Sequence, residues 1–444
     1  MFNYFLPVSL KGVNEGSFAM IYGYPGGTNR YETSMGIKLK NDIENPSLVD
    51  LRDVRLKYMH EQMVKDPAVK LKLASSYAGI ANYWKFFDGE TKQLKKFKTY
   101  EQKQEFQNKF SKWAAGKPEY ENLMKEYEKN YAAWTPYSKQ RQYLREGILG
   151  SPLAGFVSSL IGVEATMVKE GTSSADIKKA VDAADKSRDR FLEGEDKPSD
   201  EKILAKVLMM YYNDVDKSQH PIGIFERIRD TYGSLSEEST YRKFAKDVFE
   251  KTMVLDDAKW KAFVTTPDAN VLQQDIAFDY LAPFVKNYNT KYAPLYSAFL
   301  NRNAELNRSY MKGIRLMDTV AAKKMYPDAN FSMRVSYGSV KSYSPRDAVH
   351  YDYVTTSKGI LEKYVPGDYE FDLPAKQIEL LKKKDFGQYI DKKRNDLVVG
   401  FISTNDITGG NSGSPVIDGS GNLIGLAFDG NYEALSHKIA FDNN

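Results

Sequence analysis

The sequence predicts an α+β chain in which β-rich segments at its two ends flank one long helical stretch. Two observations carry this. From about residue 45 to residue 325 apolar side chains recur every three or four positions, the spacing of a buried helix face. Before and after that stretch they alternate between turn-forming residues, as in half-buried strands. A chain of 444 residues has length for two or three domains. Its 42% hydrophobic and 27% charged content is that of a globular protein with a sizeable core.

The elements follow in order. Phe18-Ala19-Met20-Ile21-Tyr22 reads as a buried strand within a β segment from Phe5 to about Ser34, and Tyr24 to Tyr31 as a loop rich in Pro and Gly. Leu51, Val54, Tyr58 and Met63 open the helical stretch. Thr172-Ser173-Ser174-Ala175-Asp176 and Pro198-Ser199-Asp200-Glu201 resemble helix starts, with a capping side chain and a nearby acid. Lys92 to Tyr131 is dense in Lys, Glu and Gln and holds no strict heptad, so amphipathic helices are expected there rather than a coiled coil. Gly147 to Val163 is the longest uncharged run. A membrane span needs about 20 mainly apolar residues, so this run is expected to be an interior helix and no membrane span is expected. Tyr326-Pro327-Asp328-Ala329-Asn330 ends the helical part. Strand character returns over Phe331 to Tyr343 and continues to the end, with one helical turn near Lys376 to Lys384.

Net charge and composition exclude several roles. A net charge of +4 over this length lacks the concentrated basic patch that nucleic acid would require, so no nucleic-acid partner is expected. The chain has no cysteine, hence no disulfide and no thiolate metal site. Its 4 histidines, His60, His220, His350 and His437, form no pair at ligand spacing, so neither metal nor cofactor is expected. The many aromatic residues, 31 Tyr and 23 Phe, suit core packing first and a peptide-binding groove second.

The chemistry is concentrated in Thr408 to Glu433, TGGNSGSPVIDGSGNLIGLAFDGNYE. Leu397 to Ile402 leads into it as a hydrophobic run. Pro415-Val416-Ile417 and Leu423 to Phe428 read as two strands joined by the turn Asp418-Gly419-Ser420-Gly421-Asn422. Between the run and the hairpin stands Gly410-Asn411-Ser412-Gly413-Ser414-Pro415. Glycines permit the positive φ of a tight turn, and such a turn can aim the N–H groups of Gly410 and Ser412 at one spot, the arrangement that holds a developing oxyanion. Ser412 would be the nucleophile, given a base to take its proton. A phosphate-binding glycine loop is excluded by its own context, because no helix follows.

These residues resemble serine-peptidase family 46, the bacterial dipeptidyl-peptidases of types 7 and 11. GGNSGSPV and GLAFDGNYEA carry the likeness, together with Leu6-Pro7-Val8-Ser9, the stretch from Gly23 to Tyr31, Tyr337-Gly338-Ser339-Val340-Lys341, Ser344-Pro345-Arg346-Asp347, Thr355-Thr356-Ser357-Lys358-Gly359 and Lys384-Asp385-Phe386-Gly387. The resemblance runs essentially end to end. It implies a chymotrypsin-like β-barrel catalytic part with a large inserted α-helical domain: the end of a first catalytic β part in 1–40, the insertion in 41–328 and a second barrel carrying the nucleophile in 329–444. It implies release of dipeptides from peptide N-termini by Ser412, with Gly410 and Ser412 as oxyanion donors.

Substrate contacts also follow from the resemblance. Asp429 would salt-bridge the substrate's free α-amino group as a buried carboxylate, and Asn82 would reach the same N-terminus. Gly430 occupies the position where type 11 enzymes carry an arginine for acidic P1 side chains. Glycine there leaves an uncharged pocket and points to type 7 and an apolar or aromatic P1. The family's triad histidine and aspartate match no position in this sequence. The chain is therefore expected to be a fragment lacking them and the C-terminal end, inactive alone, from a periplasmic or cell-surface bacterial protein that forms homodimers. The alternative expectation is a truncated relative that binds peptides without cleaving them.

Overall fold

The computed structural model describes residues 5–368 and 370–441 and divides the chain into two compact units, 1–32 with 325–444 and 33–324. The helical unit thus begins eight residues before the expected 41 and ends four before the expected 328. Thr33 explains the early start: its hydroxyl accepts the Gly36 N–H and caps the helix Ser34–Leu39.

The helical unit is built on long helices, including Asn45–Met63, Pro67–Lys96 and Ala293–Met317. Aromatic stacking fills its centre. Trp134, 1% exposed, has its ring 4.7 Å from that of Tyr296 and 6.0 Å from that of Phe299, and Tyr131 meets Phe299 edge-on. A second cluster joins Trp260, Phe156 and Phe191. Such pairs contribute about 0.5–1.5 kcal/mol each beyond the area they bury.

The uncharged run is not one helix. Ile148–Gly150 forms a tight turn, Ser151 caps, and Pro152 starts the helix Pro152–Val168, whose first-turn proline needs no N–H partner. Among the described residues no single helix is long and apolar enough to cross a membrane. One pair of segments, bent by 104° at Ser151, passes on length and composition alone.

Two helix starts behave differently from each other. Ser173 caps as expected, accepting the Asp176 N–H. Near Pro198 the cap is instead Asp196, and Asp200 is drawn inside, where it accepts the Leu153 N–H at 2.8 Å. Its carboxyl meets that of Glu195, and both are buried. Desolvation raises the affinity of both for a proton.

Among the described residues the β unit contains nine strands, β1 (Phe18–Gly23), β2 (Arg334–Ser339), β3 (Tyr343–Arg346), β4 (Val349–Tyr351), β5 (Val354–Thr356), β6 (Ile390–Asp391), β7 (Asp396–Phe401), β8 (Pro415–Ile417) and β9 (Leu423–Leu426). They make a four-stranded sheet in the order β2-β1-β8-β9, a hairpin β3-β4, and a three-stranded sheet β5-β7-β6. No barrel closure is seen among the described strand pairs.

β1 is antiparallel to both its neighbours, with Met20 opposite Tyr337 on one side and Ile417 on the other. The strand expected to end a first β part therefore lies inside the sheet whose β8 follows the loop around Ser412. Alternation along β1 sends Ala19 and Ile21 into a core with Val416 and Ala427, onto which Phe401, Ile407 and Ile424 pack. Phe401 also packs on a second core of Val340, Tyr353 and Val354. The expected hairpin forms, closed by the Asp418 N–H to the Asn422 carbonyl, with Gly421 at φ +84°.

Candidate active site around Ser412

The loop 408–414 is seated by backbone hydrogen bonds. The Asn411 N–H donates to the Thr408 carbonyl, the Ser414 N–H to the Asn411 carbonyl, and the Gly413 N–H to the Ala427 carbonyl at 2.7 Å. The Ala427 N–H returns to the Ser414 carbonyl, tying the loop to the end of β9. From the other side the Gly26 N–H donates to the Gly409 carbonyl at 2.7 Å.

Gly410 sits at φ +108°, and a Cβ there would lie 2.5 Å from the Tyr24 carbonyl oxygen and 2.9 Å from the Gly26 nitrogen. Glycine is required twice over, by conformation and by space. Gly23 is constrained by space alone, since a Cβ would fall 2.4 Å from both Asn411 Nδ2 and Ser414 Oγ. Asn411 is buried, and its Oδ1 accepts the Thr408 N–H at 3.0 Å. Among the described residues, the N–H groups of Gly410 and Ser412 are not bonded to any carbonyl. Every other N–H from Asn411 to Ser414 is.

Ser412 is exposed, and its hydroxyl donates to the Phe428 carbonyl at 3.2 Å. Asp429 and Gly430 follow Phe428 directly, so the chain itself brings both beside the serine's partner. Asp429 is exposed rather than buried. Its Oδ1 accepts the Gly430 N–H at 2.8 Å, in an irregular segment after β9 and not in a hairpin turn. The strand ends at Leu426; Ala427 beyond it is still buried, but Phe428, Asp429 and Gly430 are exposed. Asn82 stands on the exposed face of Pro67–Lys96 in the helical unit.

No histidine nitrogen touches Ser412 Oγ among the described residues. His60 and His220 belong to the helical unit, and His350 is exposed on β4. His437 is engaged elsewhere, with Nδ1 2.7 Å from the Ala434 carbonyl and Nε2 3.0 Å from Thr408 Oγ1. Burial pushes its pKa below the ordinary value of 6.5. No three His, Asp or Glu side chains converge as metal ligands among the described residues.

A charged brace lies behind the loop. Arg30 pairs bidentately with Asp406 at 2.9 and 2.7 Å, while its Nε donates to the His437 carbonyl. Asp328 accepts the Arg30 N–H and the Thr28 hydroxyl, fixing 28–30 against 328–329. Paired, planar contacts of this kind are among the stronger charge-assisted bonds. The sequence reading missed Asn411, Thr408, Gly23 and this brace. The only available signal was the glycine-rich segment after β1, which proves to be the seat of the loop.

The family model described as Peptidase S46 matches residues 1–444. The chain belongs to peptidase family S46. An Asp/Glu-specific dipeptidyl-peptidase of Flavobacterium psychrophilum is 38% identical over 99% of this chain and 60% of its own length. A dipeptidyl-peptidase 7 of Capnocytophaga gingivalis is 36% identical with the same coverage. The S46 chain thus spans about 60% of the curated relatives it matches. Among solved structures, Porphyromonas endodontalis DPP11 in complex with the dipeptide Arg-Glu superposes with a TM-score of 0.87 at 25% identity. That alignment covers 100% of this chain and 62% of the other.

Proposed function

We propose that this S46 member acts as a serine dipeptidyl-peptidase, with Ser412 as nucleophile and the N–H groups of Gly410 and Ser412 as oxyanion donors. The observation that carries this reading is the loop itself. The amides of Asn411, Gly413 and Ser414 are consumed in holding a glycine turn, while the amides of Gly410 and Ser412 are left unbonded. Donors fixed before the reaction stabilise developing charge without reorganising, and loss of one such donor costs about 10²–10³ in rate in comparable sites.

In the proposed reaction, Ser412 Oγ leaves the Phe428 carbonyl and attacks the scissile carbonyl carbon. A base accepts its proton, the carbonyl oxygen takes the charge at the two amides, and collapse, with that proton handed on to the leaving nitrogen, expels the amine of the shortened peptide. Water then releases the dipeptide from the acyl-serine. Asp429 would pair with the substrate's ammonium group, and its exposure leaves it open to do so. Asn82 would contact the same terminus. An anion holding the substrate's amine near the serine would favour release of dipeptides.

Relatives of both specificities match this chain, so their names do not choose a P1 residue. Our reading rests on Gly430, which offers no cation to an acidic side chain and so favours an apolar or aromatic P1. The base is proposed to come from outside the contacts seen here, so residues 1–444 alone should hydrolyse at background rate.

The test pairs hydrolysis with binding. Fluorogenic dipeptidyl substrates ending in Phe or in Glu are offered to the chain and to Ser412→Ala, and dipeptide affinity is measured by calorimetry. Preference for the apolar dipeptide with a free amine, lost in Asp429→Asn, is expected. Hydrolysis that vanishes in Ser412→Ala would show that a base does lie within the chain. Failure to bind any dipeptide, with no hydrolysis, would overturn the reading.

A further inference from the structure

We infer that His437 is a positioning residue for the nucleophile loop, holding Thr408 through one tautomer while Thr408 holds Asn411 between the two oxyanion donors. This rests on the loop's proposed role, but its geometry can be tested without turnover.

The chain of contacts assigns every proton. A backbone carbonyl can only accept, so Nδ1, 2.7 Å from the Ala434 oxygen, must carry a hydrogen. Nε2 of the neutral ring is then an acceptor, and the Thr408 hydroxyl donates to it at 3.0 Å. Thr408 passes the constraint on through its main chain. Its N–H donates to Asn411 Oδ1 and its carbonyl accepts the Asn411 N–H, both at 3.0 Å. Thr408 and Asn411 are 7% and 4% exposed, so water does not replace these bonds cheaply. Asn411 is the residue between Gly410 and Ser412, and its orientation fixes theirs.

The ring itself cannot drift. The His437 N–H donates to the Ala434 carbonyl at 2.9 Å, and its own carbonyl accepts from Arg30, which Asp406 clamps. A catalytic base needs Nε2 turned toward the serine hydroxyl. Here Nε2 is committed to Thr408, and Ser412 Oγ to the Phe428 carbonyl.

Protonation would convert Nε2 from acceptor to donor. The Thr408 hydroxyl would have to turn and accept, and its hydrogen would lose its acceptor in a buried place. Lys438 and Arg30 oppose that protonation and Asp406 favours it, while burial, the largest influence, opposes it.

The experiment is nuclear magnetic resonance on the full chain, following the His437 ring nitrogens and the loop amides from about pH 8 to about pH 5. The expected result has three parts. The ring shows the Nδ1–H tautomer, it titrates below the ordinary histidine value, and the Thr408, Asn411 and Ser412 amide signals move with that same midpoint. In Thr408→Val the ring should still titrate, but the Asn411 and Ser412 signals should no longer follow it. An Nε2–H tautomer, or loop amides indifferent to the His437 midpoint, would overturn the inference. Absence of hydrolysis bears on the proposed reaction and leaves these signals untouched, so the two ideas fail separately.

Discussion

The two units hold themselves together by different means. The β unit fixes the loop around Ser412 with main-chain hydrogen bonds between segments far apart in sequence, and its glycines are chosen for backbone angle and clearance. The helical unit is held by side-chain volume, with Trp134 and Trp260 at the centres of aromatic clusters and a pair of carboxyls buried together. The first is easily broken by adding an atom and the second by removing several. The loop is shaped by backbone in one case, and a carboxyl pair is buried with its protons favoured in the other.

Trp134→Ala should give the largest effect. Truncating a buried aromatic costs about 3–5 kcal/mol. All four tryptophans, Trp84, Trp113, Trp134 and Trp260, lie in the helical unit, so fluorescence of the other three reads its unfolding directly. The comparison breaks if exchange of the β1 amides rises as steeply as the helical unit melts.

Gly410→Ala sharpens it from the other side. Left-handed strain costs about 1–2 kcal/mol for a residue with a Cβ, and the contact with the Tyr24 carbonyl adds to it. Faster exchange of the Gly413 N–H and loss of dipeptide binding are expected, with the tryptophan transition unmoved.

Next come two pH effects of opposite sign. Burial raises the pKa of Glu195 and Asp200 above their ordinary values of 4.5 and 3.8, so the folded helical unit binds more protons than the unfolded chain. Its stability is full below that range and declines as pH rises toward the folded-state values. Each unit of upward shift is worth about 1.4 kcal/mol, and Glu195→Gln should flatten the decline seen by fluorescence at alkaline pH.

His437 works the other way and more weakly. Its lowered pKa means that stability of the β unit is full above 6.5 and falls as pH drops from there to the folded-state value. Hydrogen exchange of the Ser414 and Ala427 amides at mildly acid pH measures it, and His437→Gln should remove the dependence.

Much of this was legible because it is local. The helix period from Leu51 onward, the Asp418–Asn422 turn and the positive φ of the glycines around Ser412 are decided by neighbours in sequence. The Ser173 cap is of the same kind. What was not legible depends on distant partners. The placement of Phe18–Gly23 inside the loop's own sheet rests on residues near 337 and 417, and strand alternation names no partner. Asp200 looked like a surface acid at a helix start, because nothing nearby announces Glu195 and Leu153 folding over it. Asp429 was expected to be buried, yet β9 ends at Leu426 and leaves the acid in the open.

The pairing of β1 also bears on the order in which the chain assembles. Phe18 lies opposite Ser339, 321 positions later (339 − 18 = 321), and Ile21 opposite Val416. During synthesis the central strand of the sheet emerges first and waits for both neighbours. Gly23 pairs with Arg334, while the helical unit spans 33–324, which leaves nine residues on each side (32 − 23 = 9; 333 − 324 = 9). β1 can therefore pair fully only after the whole helical unit has been made, and a nascent chain halted before residue 334 should present β1 as an unpaired, aggregation-prone strand.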